Sequence, residues 1–220
     1  MAIMKTFMLT VAALVAAALP LAAQQHQPDH DKAIAGGGTL PAGWKGRIDG
    51  GGASMAGVKM TPMGGGVHIM SGPAAIYYRQ ADRQTGEFAA SATFTQMERA
   101  EHPEAYGLFV GGANLESATQ KYTYFLVRQD GKFLVKRRSG SETPTVTDWT
   151  DSSAIRKPDA TGKMSNTLAV EVGRDKVRFL VNGTEVASAE PSKVDAAGIA
   201  GLRVNHNLNV HVEGFTVRAR

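Results

Sequence analysis

The sequence predicts an all-β fold, a two-sheet antiparallel jelly-roll sandwich, preceded by a signal peptide and a flexible linker. Apolar and polar residues alternate with a period of two, short turn sequences separate these runs, and no long run has the period of an amphipathic helix. The 220 residues are 43% hydrophobic and 20% charged, with a formal net charge of +4, which is typical of a globular domain. The chain has no Cys, which excludes a disulfide scaffold, a thiolate metal cluster and a cysteine nucleophile.

The first 23 residues have the pattern of a secretory signal peptide. Lys5 supplies a positive charge, residues 7–19 are almost wholly apolar, and Leu21-Ala22-Ala23 offers a cleavage site of the kind that signal peptidase accepts. The alternative is an uncleaved anchor, but the apolar run is shorter than the roughly 20 residues that a spanning helix needs. We therefore expect an exported protein, periplasmic or secreted, with no membrane span after signal cleavage.

Residues 24–40 are rich in Gln, His, Asp and Gly and show no hydrophobic periodicity, which predicts a flexible linker. His26 and His30 lie there beside aspartates, but a flexible tail does not fix the geometry of metal ligands, so no metal site is assigned. The β-sandwich domain is expected over residues 41–220.

The clearest strand begins at Phe88, where Phe88, Ala90, Ala92 and Phe94 alternate with polar residues. This pattern predicts one buried face and one solvated face. About ten to twelve strands are expected in all, and at most one helical turn, near residues 100–103. The other clear strands are expected near residues 67–71, 74–79, 105–110, 122–128, 132–138, 168–172, 177–181, 199–204 and 208–219.

Three glycines mark turns or irregularities. Asn182-Gly183 is the strongest two-residue hairpin signal, because a type I′ turn needs positive φ at both positions. Asp130-Gly131 predicts a second hairpin turn. In the C-terminal run, the apolar residues of 208–212 and of 215–219 have opposite parity, so a β-bulge at Gly214 would let both sets face the core.

Several segments resemble concanavalin A-like sandwich domains. The hairpin at residues 122–138 is similar to one of theirs, and residues 149–155 resemble their W-x-x-S-x-x-I loop. Residues 166–183 resemble their N-x-L-x-V and V-x-F-x-V-N-G hairpin, and residues 198–217 their G-x-x-G-L and F-x-V ending. The order of the segments is that of laminin-G-like and bacterial 3-keto-disaccharide hydrolase-like domains. The resemblance covers residues 41–220 and implies a jelly roll with one concave sheet, a groove that often binds carbohydrate.

Catalysis is not favoured by the residues present. The hydrolase-like members carry an N-S-G-x-x-x-R strand, of which only Gly107 is found here, and the E-x-D-x-x-E strand of sandwich glucanases is absent from the sequence. Glu98, Glu101 and Glu104 are spaced by three, which does not place them together on one strand face. No catalytic residue is assigned, and whether the protein is an enzyme is left open, with a non-catalytic role favoured.

The candidate ligand-binding residues are Arg79, Tyr122, Arg128 and Trp149. Sugar sites commonly combine an aromatic platform with polar and charged groups, and an Arg beside aromatic rings could bind a hydroxyl-rich or acidic ligand. Arg128 shares a strand face with Tyr122 and Tyr124. The alternative is that these aromatic side chains belong to the core.

A second basic group, Lys132, Lys136, Arg137 and Arg138, lies on one predicted hairpin. An anionic partner such as an acidic polysaccharide, an envelope lipid or nucleic acid is one explanation. The other is protection of an exposed sheet edge against aggregation. We favour edge protection, because an exported protein rarely meets nucleic acid.

The function expected from the sequence is that of an exported, non-catalytic sandwich domain that binds a glycan or related extracytoplasmic ligand, such as a cell-envelope component, on its concave sheet. No nucleic-acid partner is expected, and no cofactor unless a calcium ion of the kind found in related sandwiches. The alternatives are a glycan-active hydrolase of the 3-keto-disaccharide type and a purely structural or interaction domain.

Overall fold

A computed structural model of the chain describes residues 30–49 and 54–220, so the predicted signal peptide lies outside the described residues. The strands along the chain are β1 (Lys45–Ile48), β2 (Val58–Met63), β3 (Gly66–Ser71), β4 (Ala75–Gln84), β5 (Phe88–Gln96), β6 (Ala105–Ala113), β7 (Lys121–Arg128), β8 (Lys132–Ser139), β9 (Thr145–Asp151), β10 (Met164–Val172), β11 (Val177–Val181), β12 (Thr184–Ala189), β13 (Gly198–Val204) and β14 (Leu208–Ala219).

These strands form two antiparallel sheets of seven strands each. The first sheet has the order β1-β4-β13-β6-β7-β8-β9, and the second has the order β12-β11-β10-β5-β14-β3-β2. Strands far apart in sequence pair at the centre of each sheet, β4 with β13 and β5 with β14, whereas hairpins such as β7–β8 lie toward one side. The predicted all-β, two-sheet antiparallel jelly-roll sandwich is confirmed.

The core lies between the two sheets and is filled by one face of each strand. Phe88, Ala90, Ala92 and Phe94 of β5 are at most 2% exposed, as their alternation predicts. Aromatic pairs connect the sheets: Phe94 stacks on Tyr106 with ring centroids 5.3 Å apart. Burial of such rings stabilises the sandwich by both apolar area and ring geometry.

The predicted hairpins are confirmed. Asn182 and Gly183 both have positive φ, 50° and 82°, as a type I′ turn requires. The β7–β8 loop has three residues and ends at Gly131, whose φ is 89° and whose amide donates to the carbonyl of Arg128 at 3.0 Å. A three-residue loop closed by a left-handed glycine is a common hairpin connection.

The predicted β-bulge at Gly214 is also confirmed. Glu213 pairs with Thr93 and Thr216 with Ser91, so β14 has one extra residue at this point, and Gly214 has a φ of 62°. Beyond the bulge, Phe215 and Val217 pack against the core and are partly buried. One strand therefore keeps both apolar sets on the core side.

Four of the observed strands were not expected: β1, β2, β9 and β12. Instead of a helical turn, residues 100–103 form an irregular loop, and the one helical element of the described chain is the 3₁₀ turn Pro191–Lys193. None of the described residues forms a helix with the length and apolar character that a bilayer crossing requires.

The structure describes residues 30–40 of the predicted linker, which contain no helix or strand. The amide of Lys32 donates to Oδ1 of Asn207 at 2.8 Å. The amide of Gly38 donates to the carbonyl of Val58 at 2.9 Å. This segment therefore makes backbone hydrogen bonds to the β13–β14 loop and to β2.

Candidate ligand-binding face

The outer face of the first sheet, on the side away from the core, carries a row of aromatic rings. Tyr78 of β4, Phe109 of β6, and Tyr122 and Tyr124 of β7 form this row, and we call the surface around them the aromatic face. Their ring centroids are separated by 6.5 Å (Tyr78–Phe109), 5.2 Å (Phe109–Tyr122) and 5.8 Å (Tyr122–Tyr124). The rings therefore form one continuous patch across four adjacent strands, from β4 to β7.

Strand alternation and register place these rings together. Tyr122 and Tyr124 alternate with Thr123 and Phe125, and Phe125 points into the core. Phe109 is paired with Tyr124 on one side and with Gly201 of β13 on the other. A Cβ at Gly201 would lie 2.5 Å from the Phe109 ring, so glycine leaves the space that this ring occupies.

The four rings are covered by other side chains. Tyr78, Phe109 and Tyr122 are fully buried and Tyr124 is 7% exposed, although all four are on the outer side of the sheet. Leu115, from the loop after β6, belongs to the same cluster. The aromatic face is therefore an apolar floor shielded by the side chains around it.

A buried guanidinium lies across this floor. Arg203 of β13 is 6% exposed, its guanidinium carbon lies 4.9 Å from the Tyr124 ring centroid, and its Nη1 donates to the Tyr122 hydroxyl at 3.1 Å. Both of its terminal nitrogens also donate to the carboxylate of Asp49, at 2.9 and 2.5 Å. Arg203 and Asp49 thus form a bidentate ion pair directly against the tyrosines.

Burial and neighbouring charges together determine the protonation states of Asp49, Tyr122 and Tyr124. Burial on its own would raise the pKa of Asp49, but the hydrogen bonds and charge of Arg203, with the charges of Arg138 and His206, hold that pKa below its usual value. Burial raises the pKa of both Tyr122 and Tyr124. At neutral pH, Asp49 is therefore a carboxylate and the two tyrosines keep their protons.

Further cations surround the rings. Tyr122 is paired with Arg138 and Tyr124 with Lys136 across the β7–β8 register, and Arg47 lies on β1 opposite Ile76. In the described part of the chain, none of these three cations forms an ion pair, and the Nε atoms of Arg47 and Arg138 are buried without a hydrogen-bond partner.

The position of β8 contradicts the edge-protection interpretation of this basic group. β9 pairs with β8 on its free side, so β8 is an internal strand and β9 forms the edge of the sheet. The interpretation was wrong because β9 lacks an alternating pattern and was not expected. Lys132 is paired with Asp151 of β9 at 3.5 Å, and Lys136 and Arg138 need another explanation.

Trp149 and Arg128 meet at the β9 end of the aromatic face. The guanidinium carbon of Arg128 lies 4.1 Å from the Trp149 ring centroid, and its Nε donates to both carboxylate oxygens of Asp130, at 2.8 and 2.9 Å. Trp149 is partly buried and packs against the aromatic cluster. Arg128 therefore holds the indole ring in position through a cation–π contact.

Arg79 lies apart from the other three candidates. Its guanidinium carbon is 5.0 Å from the ring centroid of Trp44 and 5.2 Å from that of Phe215, and its Nε donates to Asp82 at 2.6 Å. Trp44 and Phe215 both pack against the core between the sheets. The structure thus brings Tyr122, Arg128 and Trp149 to the aromatic face and places Arg79 against the margin of the core.

Sequence reasoning missed Asp49 and Arg203. Arg203 stands alone in the apolar run of β13, and a single charge on such a strand signals a buried, partnered side chain. Its partner, Asp49, directly follows β1 and lies 154 residues away in sequence. No local pattern could therefore have identified it. Tyr77 and Tyr78 point to opposite faces of β4, and both are buried.

The carboxylates at the aromatic face are engaged in ion pairs. Asp49 is held by Arg203, Glu116 accepts a hydrogen bond from Lys45 at 2.6 Å, and Asp130 is held by Arg128. Across residues 30–49 and 54–220, no three His, Cys, Asp or Glu side chains are grouped in a way that could hold a metal ion. The face therefore offers hydrogen-bond donors, positive charge and the partly exposed Trp149 ring.

No protein-family model matches the sequence, and no curated protein matches it. Solved structures do match. The carbohydrate-binding module CBM66 from Bacillus subtilis has a TM-score of 0.59 at 12% identity, with 80% of this chain and 96% of that chain covered. The endo-β-1,3-glucanase from Pyrococcus furiosus has a TM-score of 0.55 at 11% identity, with 86% and 92% covered.

A third match is the carbohydrate recognition domain of Emp46p in its potassium-bound form, with a TM-score of 0.53 at 10% identity and coverage of 80% of this chain and 88% of that chain. At such identities the likeness establishes architecture and not activity. The chain therefore has the concanavalin A-like jelly-roll sandwich fold, as the resemblance of its sequence segments implied.

Proposed function

We propose that this protein is an exported, non-catalytic domain that binds a glycan on its aromatic face. One observation carries the proposal: arginine donors and the partly exposed Trp149 ring border a buried floor of four aromatic rings, and three of these arginines have buried Nε atoms with no partner among the described residues. The three are Arg47, Arg138 and Arg203. Two of the similar structures are carbohydrate-binding domains, which supports the same conclusion.

The chemistry of the face suits a sugar ring. The axial C–H groups of a pyranose form an apolar patch that packs on an accessible aromatic ring, here the partly exposed Trp149, and its hydroxyls need donors and acceptors around the rim. The rim offers the guanidinium groups of Arg47 and Arg138, the ammonium group of Lys136 and the indole of Trp149. A ligand oxygen at Arg138 or Arg47 would supply the hydrogen bond that the buried Nε lacks.

The glucanase among the similar structures makes hydrolysis the second candidate. Hydrolysis of a glycosidic bond uses two carboxyl groups, one of which must be protonated to act as an acid. Asp49 is held ionised beside Arg203 and Glu116 is paired with Lys45, so neither is placed to donate a proton. This arrangement favours binding without catalysis.

A glycan array probed with the purified protein, with and without calcium, tests the proposal. We expect binding to at least one glycan class and loss of that binding in Tyr124→Ala, which removes the ring under Arg203. Thr93→Ala, on the outer face of the second sheet, is the matched control and should bind as the native protein does. Absence of binding to every glycan would contradict the proposal, and release of reducing sugar from a bound glycan would favour the hydrolase.

A further inference from the structure

We propose that the glycan bound by the aromatic face is anionic, with carboxylate or sulfate groups on its sugars, and that Arg138, Arg47 and Lys136 recognise those groups. This inference rests on the proposed function and adds the substrate class. Its starting point is a local imbalance of charge that the fold does not require.

The imbalance appears when each acidic group of the aromatic face is matched to the cation that it binds. The acidic groups at the aromatic face are taken up in ion pairs: Asp49 by Arg203, Glu116 by Lys45 and Asp130 by Arg128. Three further cations form no ion pair with any described residue. They are Arg47, Lys136 and Arg138.

Two other strand arginines of the same protein have carboxylate partners. Arg137, the neighbour of Arg138 on β8, points to the other side of the strand and binds Asp195 at 2.9 Å. On the second sheet, Arg178 lies between Glu171 and Glu185, at 2.9 and 2.7 Å. By contrast, Arg138 and Arg47 form no ion pair with any described residue, and the Nε atom of each is buried without a hydrogen-bond partner.

Structural explanations do not account for the excess charge. β8 is internal, so its lysine and arginines do not protect an exposed edge. Like charges at neighbouring positions repel one another, and the cost is greater beside buried rings than in open solvent. A ligand that brings negative charge would remove this cost, which is the thermodynamic condition for selective binding of an anion.

The geometry of the donors matches an oxyanion. An arginine presents its N–H groups in a planar fork, and a carboxylate or sulfate accepts two parallel hydrogen bonds from it. The buried, unpartnered Nε of Arg138 gives such a fork one N–H that no protein group uses. Because Arg138 pairs with Tyr122 and Lys136 with Tyr124, the anion would sit at the border of the aromatic face.

The test compares polymers that differ in charge and keep the same backbone. The probes are polygalacturonate against its fully methyl-esterified form, and a sulfated galactan against its desulfated form, measured by isothermal titration calorimetry at two salt concentrations. We expect each charged form to bind about tenfold or more tightly than its neutral counterpart, since a charge-assisted hydrogen bond is worth about a factor of ten. The polymer that binds also distinguishes carboxylate from sulfate.

Matched variants separate specific recognition from general attraction of a basic protein to polyanions. Arg138→Gln should weaken binding of the charged polymer about tenfold, and Arg138→Lys should restore only part of it, because the charge remains and the fork is lost. Arg137→Gln and Arg178→Gln each remove one positive charge elsewhere and should bind the polymer as the native protein does. Thermal unfolding of each variant confirms that it is folded.

Two results would overturn the inference. Equal affinity for the charged and neutral forms would show that the aromatic face binds sugar without recognising charge, and the proposed function would stand. Equal losses in Arg138→Gln, Arg137→Gln and Arg178→Gln would show unspecific attraction only. If neither the charged nor the neutral polymers bind and the glycan array is also blank, the proposed function itself fails.

Discussion

At the scale of single residues, Asn166 and Asn182 explain why two motifs of the sequence resemble a fold family without indicating a function. Asn166 is fully buried, and its side chain accepts from the amide of Arg156 at 2.9 Å and donates to the carbonyl of the same residue at 3.1 Å. Asn182 donates to the carbonyl of Ala154 at 2.8 Å. The two amides hold the loop that inserts Ile155 into the core.

Replacing Asn166 therefore tests whether this motif is structural. Asn166→Ala removes the hydrogen-bond partners of both the amide and the carbonyl of Arg156. We expect the free energy of unfolding, measured by urea denaturation, to fall by about 1–3 kcal/mol. Thr167→Ala is the control: that side chain is exposed and bonds only to Thr93, at 2.8 Å, so its loss should be much smaller. Equal losses in the two variants would contradict the role given to Asn166. Glycan binding should survive in both.

Residue types also limit what could be predicted about the candidate site. The aromatic and arginine residues Tyr122, Arg128 and Trp149 could be selected from the sequence, because strand parity shows which side chains share a face. Arg79 has the same residue type and also lies on a strand, yet it stacks between Trp44 and Phe215. That contact joins β4 to β14, and sequence patterns carry no information about which distant strands meet.

At the scale of strands, prediction succeeded where one face is buried and the other solvated. β5, β10 and β11 show clean alternation because each is internal to the second sheet and faces the core with one side. β1 and β9 lie at the edges of the first sheet, where few side chains are fully buried, so their sequences lack alternation. Because the sequence did not predict β9, it wrongly placed the basic strand β8 at the edge of the sheet.

The bulge in β14 gives a prediction for a single strand. Gly214 has a φ of 62° and no atom within 4 Å of the position of a Cβ, so only backbone strain opposes a side chain there. Gly214→Ala should lower the free energy of unfolding by about 1–2 kcal/mol, the cost of the left-handed conformation. Gly214→Asn should lose less, because asparagine tolerates that conformation best. Chemical denaturation of both variants provides the measurement, and an alanine variant as stable as the native protein would refute the bulge geometry.

At the scale of the whole molecule, the two sheets have different outer surfaces. The outer side of the second sheet carries small hydroxyl residues that bond to one another, such as Thr95 with Ser165 at 3.1 Å, and the paired charges around Arg178. The outer side of the first sheet carries the aromatic floor, the Arg203–Asp49 pair and the unpaired cations. The alternation rule predicts that outward positions are polar, so the buried rings of the aromatic face could not be foreseen from it.

The two tryptophans can report on which side of the molecule a ligand binds. Trp149 packs at the aromatic face under Arg128, whereas Trp44 lies against Phe215, with ring centroids 5.8 Å apart, and packs against the core. A glycan on the aromatic face should therefore change the fluorescence of Trp149 and leave that of Trp44 unaltered, because indole emission responds to local polarity and contact.

Titration of the native protein with a bound glycan should give a saturable fluorescence change. The change should persist in Trp44→Phe, where Trp149 is the one remaining reporter, and should disappear in Trp149→Phe. Since indole stacking contributes to sugar binding, Trp149→Phe should also weaken affinity by a few-fold when measured by calorimetry. A signal that follows Trp44 instead would place the ligand away from the first sheet's outer face, because Trp44 packs on Phe215 and against the core between the sheets.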